Sequence, residues 1–128
     1  MDSTDTPTIL VVDDDILLID ALVSVIKSNS SFDAISASNG LEGLALAKNF
    51  RPHMVVLDLV MPEMDGFEFI RTLRSEVWGR EQKVIVLTGD ASAHITEQLS
   101  EHNVFGILDK GTYSLEDVAH KILELASQ

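Results

Sequence analysis

The sequence predicts a doubly wound α/β fold, a parallel sheet of five strands covered by helices on both faces, and three observations support this. Four short apolar runs, Ile9-Leu10-Val11-Val12, Met54-Val55-Val56-Leu57, Val84-Ile85-Val86-Leu87 and Val104-Phe105-Gly106-Ile107-Leu108, have the length and unbroken hydrophobicity of strands buried on both sides. Segments of helical periodicity separate them. Each run stops at a polar tip: Asp13-Asp14, Asp58, Thr88 and Asp109-Lys110. Ligands of open parallel sheets bind beyond the carboxyl ends of the strands, so these acids, the hydroxyl and the ammonium are expected in one pocket.

The elements follow in order. Residues 1–7 read as a flexible polar tail, and residues 8–128 as one domain. The first strand spans about 8–13. A helix over about 15–28 places Leu18, Leu22, Val25 and Ile26 on one face and ends in the serines around Ser28 to Ser31. A second strand, Asp33 to Ala37, gives way at Asn39-Gly40 to a helix carrying Leu41, Leu44, Ala45 and Ala47. That helix stops before Arg51-Pro52, because a residue preceding proline avoids helical geometry. The third strand ends at Asp58, and the turn Met61-Pro62-Glu63-Met64-Asp65-Gly66 leads to a helix marked by Phe67, Ile70, Leu73 and Val77, closing near Gly79. The fourth strand ends at Thr88. The helix over 92–102 has only Ile95 and Leu99 as large apolar anchors, and is expected to be held less firmly than the others. The last helix, about 114–127, starts from a Ser114 cap and is expected to bury Leu115, Val118, Ala119, Ile122 and Leu125.

Right-handed crossovers leave few ways to wind this alternation. The strand order 2-1-3-4-5 is favoured because five strands suffice for it, and because it makes the acid-tipped first and third strands neighbours at the switch point. Asp13, Asp14 and Asp58 then converge.

Bulk properties narrow the function classes. A chain of 128 residues fits one domain that buries roughly two-thirds of its unfolded surface. A net charge of −12 repels polyphosphate, which argues against direct nucleic-acid or anionic-membrane binding and leaves output to another protein or domain. Zero cysteines exclude a disulfide scaffold and cysteine catalysis. No stretch approaches the roughly 20 apolar residues of a membrane span, and the polar start lacks the features of a signal peptide, so a cytoplasmic location is expected.

Three carboxylates in one cleft repel one another, so either their pKa values rise or a cation joins them. Mg²⁺ is the natural partner, since it prefers oxygen ligands and leaves room for a phosphoryl group. A strand-end carboxylate such as Asp58 can then act as a nucleophile and form an acyl phosphate. The Lys110 ammonium can pair with one phosphoryl oxygen, and the Thr88 hydroxyl can donate to another and move toward it.

These residues resemble the receiver domain of two-component response regulators, from about Thr8 to the end of the chain. The resemblance is carried by Ile9-Leu10-Val11-Val12-Asp13-Asp14-Asp15, Asn39-Gly40-Leu41-Glu42-Gly43-Leu44, Val55 to Gly66, Val86-Leu87-Thr88-Gly89 and Lys110. It implies a flavodoxin-like three-layer sandwich of 2-1-3-4-5 order. It also implies phosphorylation of Asp58 by a histidine kinase, a phosphotransfer protein or a small phosphodonor, with Asp13, Asp14, Asp58 and the Val60 carbonyl around Mg²⁺. Thr88 and Lys110 would read the modified state, and the fourth helix, fifth strand and fifth helix would form the output surface. Such a domain is a switch and not a dedicated enzyme, a monomer or a weak dimer strengthened by phosphorylation.

The sequence also departs from that family's pattern. Ile107 stands at the switch position where relatives carry an aromatic, and Phe105, two residues earlier on the same strand face, is the candidate substitute. Gly111 follows Lys110 where relatives have a cis-proline, which predicts a trans bond. Val60 and Asp90 occupy positions that tune access of hydrolytic water, and apolar Val60 is expected to slow dephosphorylation. Competing functions fare worse. A phosphatase of the haloacid-dehalogenase type needs a second Asp where Val60 stands, and no glycine-rich phosphate loop follows any strand. A receiver-like docking domain that has lost phosphorylation would not need the complete set Asp13, Asp14, Asp58, Thr88 and Lys110. The scattered histidines and Trp78 read as packing or surface residues.

Overall fold

The computed structural model describes residues 6–128, so the expected tail lies largely outside the described residues. Thr6 and Pro7 are exposed, and the Pro7 carbonyl already accepts the Asp33 N–H at 2.9 Å. Among the described residues, five strands and five α-helices alternate: β1 (Thr8–Val12), α1 (Ile16–Asn29), β2 (Asp33–Ala37), α2 (Gly40–Phe50), β3 (Met54–Leu57), α3 (Gly66–Ser75), β4 (Val84–Thr88), α4 (Ala93–Ser100), β5 (Gly106–Asp109) and α5 (Leu115–Ala126). All strand pairs are parallel and their order is β2-β1-β3-β4-β5.

Side chains alternate across this sheet, so each central strand feeds two cores. Ile9, Val11, Met54, Val56, Ile85 and Leu87 meet Ile19, Leu22 and Ile26 of α1 and Val118, Ala119 and Ile122 of α5. On the other face Leu10, Val12, Val55, Leu57, Val84 and Val86 meet Ala47 of α2, Phe69, Ile70 and Leu73 of α3, and Leu99 of α4. Burial on both faces explains why these strands read as unbroken apolar runs.

Helix faces were harder to read than helix positions. The centre of the α1 stripe is Ile19, Leu22 and Ile26, with Leu18 and Val25 at its margins. In α2 the buried residues are Gly40, Gly43 and Ala47, while Leu41 is exposed. A Cβ on Gly43 would lie 2.9 Å from Val12 Cγ2, so small residues here let α2 close on the sheet. α3 ends at Ser75, and a single 3₁₀ turn, Val77–Gly79, follows; Val77 is exposed and Phe69 takes the expected core place. Leu115 is also partly exposed, because it begins α5 directly after the Ser114 cap. α4 buries only Leu99, with Ile95 half-buried, in keeping with its expected light anchoring.

Candidate functional site

The polar tips are held by the ends of the hydrogen-bond ladder. The Asp13 N–H donates to the Ala37 carbonyl at 3.1 Å, the Asp58 N–H to Val12 at 2.9 Å, and the Lys110 N–H to Thr88 at 2.8 Å. Each residue is thus one rung past its strand, fixed in backbone and free in side chain. Leu57 pairs with Val86, so Thr88 stands one rung beyond the residue level with Asp58.

At this edge Asp13, Asp14 and Asp58 each offer a carboxylate oxygen, and these oxygens lie within 4.8 Å of one another. Asp13 and Asp58 are 2% and 5% exposed, whereas Asp14 faces solvent. The Lys110 ammonium reaches Asp13 Oδ2 at 2.9 Å and Asp58 Oδ2 at 3.3 Å. The three acids of the Asp13-Asp14-Asp15 run divide their work. Asp15 caps α1 by accepting the Leu18 N–H, and Asp13 Oδ1 accepts the Asp15 N–H, which aims Asp13 Oδ2 into the cleft. Val60 donates its N–H to Asp58 Oδ1 at 3.3 Å and is itself 75% exposed. The turn behind it is tight: Met64 N–H bonds the Pro62 carbonyl across Glu63 at φ 68°, and a Cβ on Gly66 would come within 2.7 Å of the Asp58 carbonyl.

Electrostatics follow from this crowding. Burial, and then the Asp13 charge, raise the Asp58 pKa from 3.8 to about 6, although Lys110 and the Val60 N–H work against the rise. Burial alone would lower Lys110, but its contacts with Asp13 and Asp58 outweigh this and raise it. One lysine does not balance three acids. Asp13 Oδ2 is buried with the Lys110 ammonium 2.9 Å away, and a carboxylate oxygen so placed keeps a lone pair for a metal. Oxygen donors, net negative charge and an exposed Asp14 on the solvent side fit a hard divalent cation.

Thr88 is 1% exposed, and its hydroxyl accepts the Asp90 N–H at 3.1 Å. Beside it lies a cavity of about 310 Å³ lined by Leu59, Val60, Met61, Phe67 and Ile95 with Asp65 and Asp90. Apart from Val60, these apolar residues read in the sequence only as core or turn, and nothing in their spacing marks a cavity.

Ile107 is not brought to the acidic pocket. It is half-buried on the α4 side of β5, opposite Val86. Phe105 precedes β5, at the end of the strand away from the pocket, and lies 42% exposed with Lys83 Nζ 4.4 Å from its ring centroid. Every peptide bond among the described residues is trans, Lys110–Gly111 included. No helix among them is long and apolar enough to cross a membrane.

Comparison with known proteins agrees with this geometry. A family model described as response regulator receiver domain matches residues 9–122. The chain is 37% identical over 82 residues to the DNA-binding dual master transcriptional regulator RpaA of Synechocystis, covering 64% of this chain and 34% of that protein. It is 31% identical over 107 residues to the transcriptional regulatory protein YdfI of Bacillus subtilis, covering 83% and 49%. It therefore spans only a third to a half of these two relatives. Among solved structures, the chemotaxis protein CheY4 of Vibrio cholerae superposes with a TM-score of 0.82 at 25% identity, covering 94% of this chain and 98% of that one. With the acids, threonine and lysine gathered at the carboxyl edge of a 2-1-3-4-5 sheet, this chain belongs to the response regulator receiver domain family.

Proposed function

We propose that this domain is a Mg²⁺-dependent phosphoacceptor switch modified on Asp58. The observation that carries the reading is the arrangement around Asp58: a buried carboxylate clustered with those of Asp13 and Asp14, with an ammonium 3.3 Å away. An Asp58 carboxylate oxygen attacks the phosphorus of a phosphohistidine or a small acyl phosphate. The P–N or P–O bond to the donor breaks, the leaving group takes up a proton from solvent where its basicity requires one, and Asp58 becomes an acyl phosphate. Mg²⁺, when bound, would be held by Asp13, Asp14, Asp58 and the Val60 carbonyl and would neutralise phosphoryl oxygens. Lys110 exchanges its contact with Asp58 for a phosphoryl oxygen, and Thr88 turns its hydroxyl to another.

The donor is a histidine kinase, a phosphotransfer protein or a small phosphodonor in the cytoplasm. The receiver is another protein or domain, met through the face of α4, β5 and α5. Nucleic acid and membrane are not direct partners of so acidic a domain. The domain assists its own phosphoryl transfer and hydrolysis without being a dedicated enzyme, and phosphorylation strengthens a weak dimer. The test is intact-protein mass after incubation with Mg²⁺ and acetyl phosphate, beside Asp58→Asn and a chelator. The expected result is a gain of one phosphoryl group that both controls abolish. A folded wild-type protein that gains none would point to a phosphorylation-independent docking domain.

A further inference from the structure

We propose that Asp109 is a positioning residue, whose side chain closes a turn around Lys110 and so aims the ammonium into the acidic pocket. The inference rests on the phosphoacceptor reading and adds to it the device that holds Lys110 in place. A lysine ammonium rides on a long flexible stem, so its place is set either by packing along the stem or by the backbone from which the stem departs. Packing is open on one side: Lys110 borders a cavity of about 150 Å³ lined by Leu18, Leu87, Tyr113, Leu115 and Val118. Even so, the ammonium stands 2.9 Å from Asp13 Oδ2 and 3.3 Å from Asp58 Oδ2.

The backbone supplies the aim. Asp109 is level with Thr88 in the sheet, and the Lys110 N–H donates to the Thr88 carbonyl at 2.8 Å, one rung past the end of β5. Next along the chain, the Gly111 N–H donates to Asp109 Oδ1 at 2.8 Å, and the Asp109 carbonyl accepts the Thr112 N–H at 3.4 Å. A carboxylate that accepts the N–H two residues on closes a ring with the intervening residue inside it, and here that residue is Lys110. The ring thus restrains the dihedrals on both sides of the Lys110 Cα. Only a residue with an N–H can close it. A Cβ on Gly111 would meet Asp109 Oδ1 at 3.5 Å, an ordinary contact, and no glycine among the described residues has a positive φ, so what position 111 contributes is its N–H. Asp109 itself stands outside the carboxylate cluster of Asp13, Asp14 and Asp58, and among the described residues the ion pairs of Lys110 are with Asp13 and Asp58. The part of Asp109 is therefore geometric, and an uncharged acceptor of the same shape can play it.

The test is the rate of phosphoryl gain from acetyl phosphate in saturating Mg²⁺, followed by intact mass, for wild type, Asp109→Ala, Asp109→Asn, Lys110→Met, and Asp109→Ala combined with Lys110→Met. Asp109→Ala is expected to slow the gain about three- to tenfold, the effect of losing one ordinary hydrogen bond. Asp109→Asn, which keeps the acceptor oxygen, should run within about twofold of wild type. Because Asp109 acts through Lys110, adding Asp109→Ala to Lys110→Met should cost less than about twofold more. The Mg²⁺ concentration that gives half the maximal rate should not rise in Asp109→Ala, since the turn holds no metal ligand. Wild-type speed in Asp109→Ala, equal losses in Asp109→Ala and Asp109→Asn, the full loss repeated in the Lys110→Met background, or a raised Mg²⁺ requirement would overturn the positioning role alone. Absence of phosphoryl gain in wild type would overturn the phosphoacceptor reading, and this inference with it.

Discussion

Asp58 is costly to the fold in the absence of a cation, and its protonation gives the cost a sign. Its folded pKa of about 6 lies above the ordinary 3.8, so the folded state holds the proton more tightly than the unfolded chain does. The stability this group contributes is complete below about pH 3.8 and is lost as pH rises through about 6. We therefore expect Asp58→Asn to be more stable than wild type in chelator at pH 7.5, by about 1–3 kcal/mol, and to match it more closely near pH 4. Urea titrations at the two pH values decide this; equal pH slopes in both proteins would remove the argument. Val60 is a second residue whose chemistry can be tested. It is exposed beside the Asp58 carboxylate and offers an attacking water no side-chain hydrogen bond, so Val60→Asn is expected to shorten the phosphoryl lifetime. Decay followed by intact mass gives the answer, and an unchanged lifetime counts against it. That Asp13, Asp14, Asp58, Thr88 and Lys110 would meet at one edge was legible in the sequence, because they end apolar runs and parallel strands place such ends together. A substitute for the switch aromatic was not legible: Phe105 lies before β5, nearer the end of the sheet away from the pocket.

Among the elements, strands were easier to place than helix faces, for a physical reason. A strand buried on both sides is apolar throughout, so a shift of a residue hardly alters its reading, whereas a helix stripe turns by 100° with each residue. The α2 face shows the consequence: its contact with the sheet is made by Gly43 and Ala47, which carry little hydrophobicity but allow close approach. Arg74 was missed altogether. An arginine near the end of α3 reads as a surface charge, yet its guanidinium ties the 3₁₀ turn, the loop before β4 and the loop after α4 through four backbone carbonyls. Partial burial accordingly lowers its pKa. Arg74→Met, which keeps the aliphatic stem and removes those bonds, is expected to cost about 2–4 kcal/mol and to loosen the C-terminal end of α4. Chemical denaturation with exchange at residues 102–104 measures both; a loss below about 0.5 kcal/mol would reduce the clamp to a surface decoration.

Across the whole molecule, acidic charge and cation binding are linked. With a net charge of −12 and three carboxylates facing one lysine at the site, Mg²⁺ is expected to stabilise the folded chain by mass action, about 2.7 kcal/mol at a hundredfold excess over its dissociation constant. Thermal unfolding in Mg²⁺ against the same ionic strength of NaCl separates site binding from general screening, and an equal shift in Asp13→Asn would assign the effect to screening. The sheet order carries a further consequence, concerning time. Asp13 follows β1, Asp58 follows β3, and Lys110 follows the edge strand β5, so the pocket draws on segments nearly 100 residues apart in a chain of 128. A nascent polypeptide that has emerged only as far as β4 holds all three acids without their lysine, and contacts so distant along the chain form late. On the proposed reading, competence to accept a phosphoryl group is therefore acquired only once β5 has been made, and a copy that stops at β4 cannot compete for the donor.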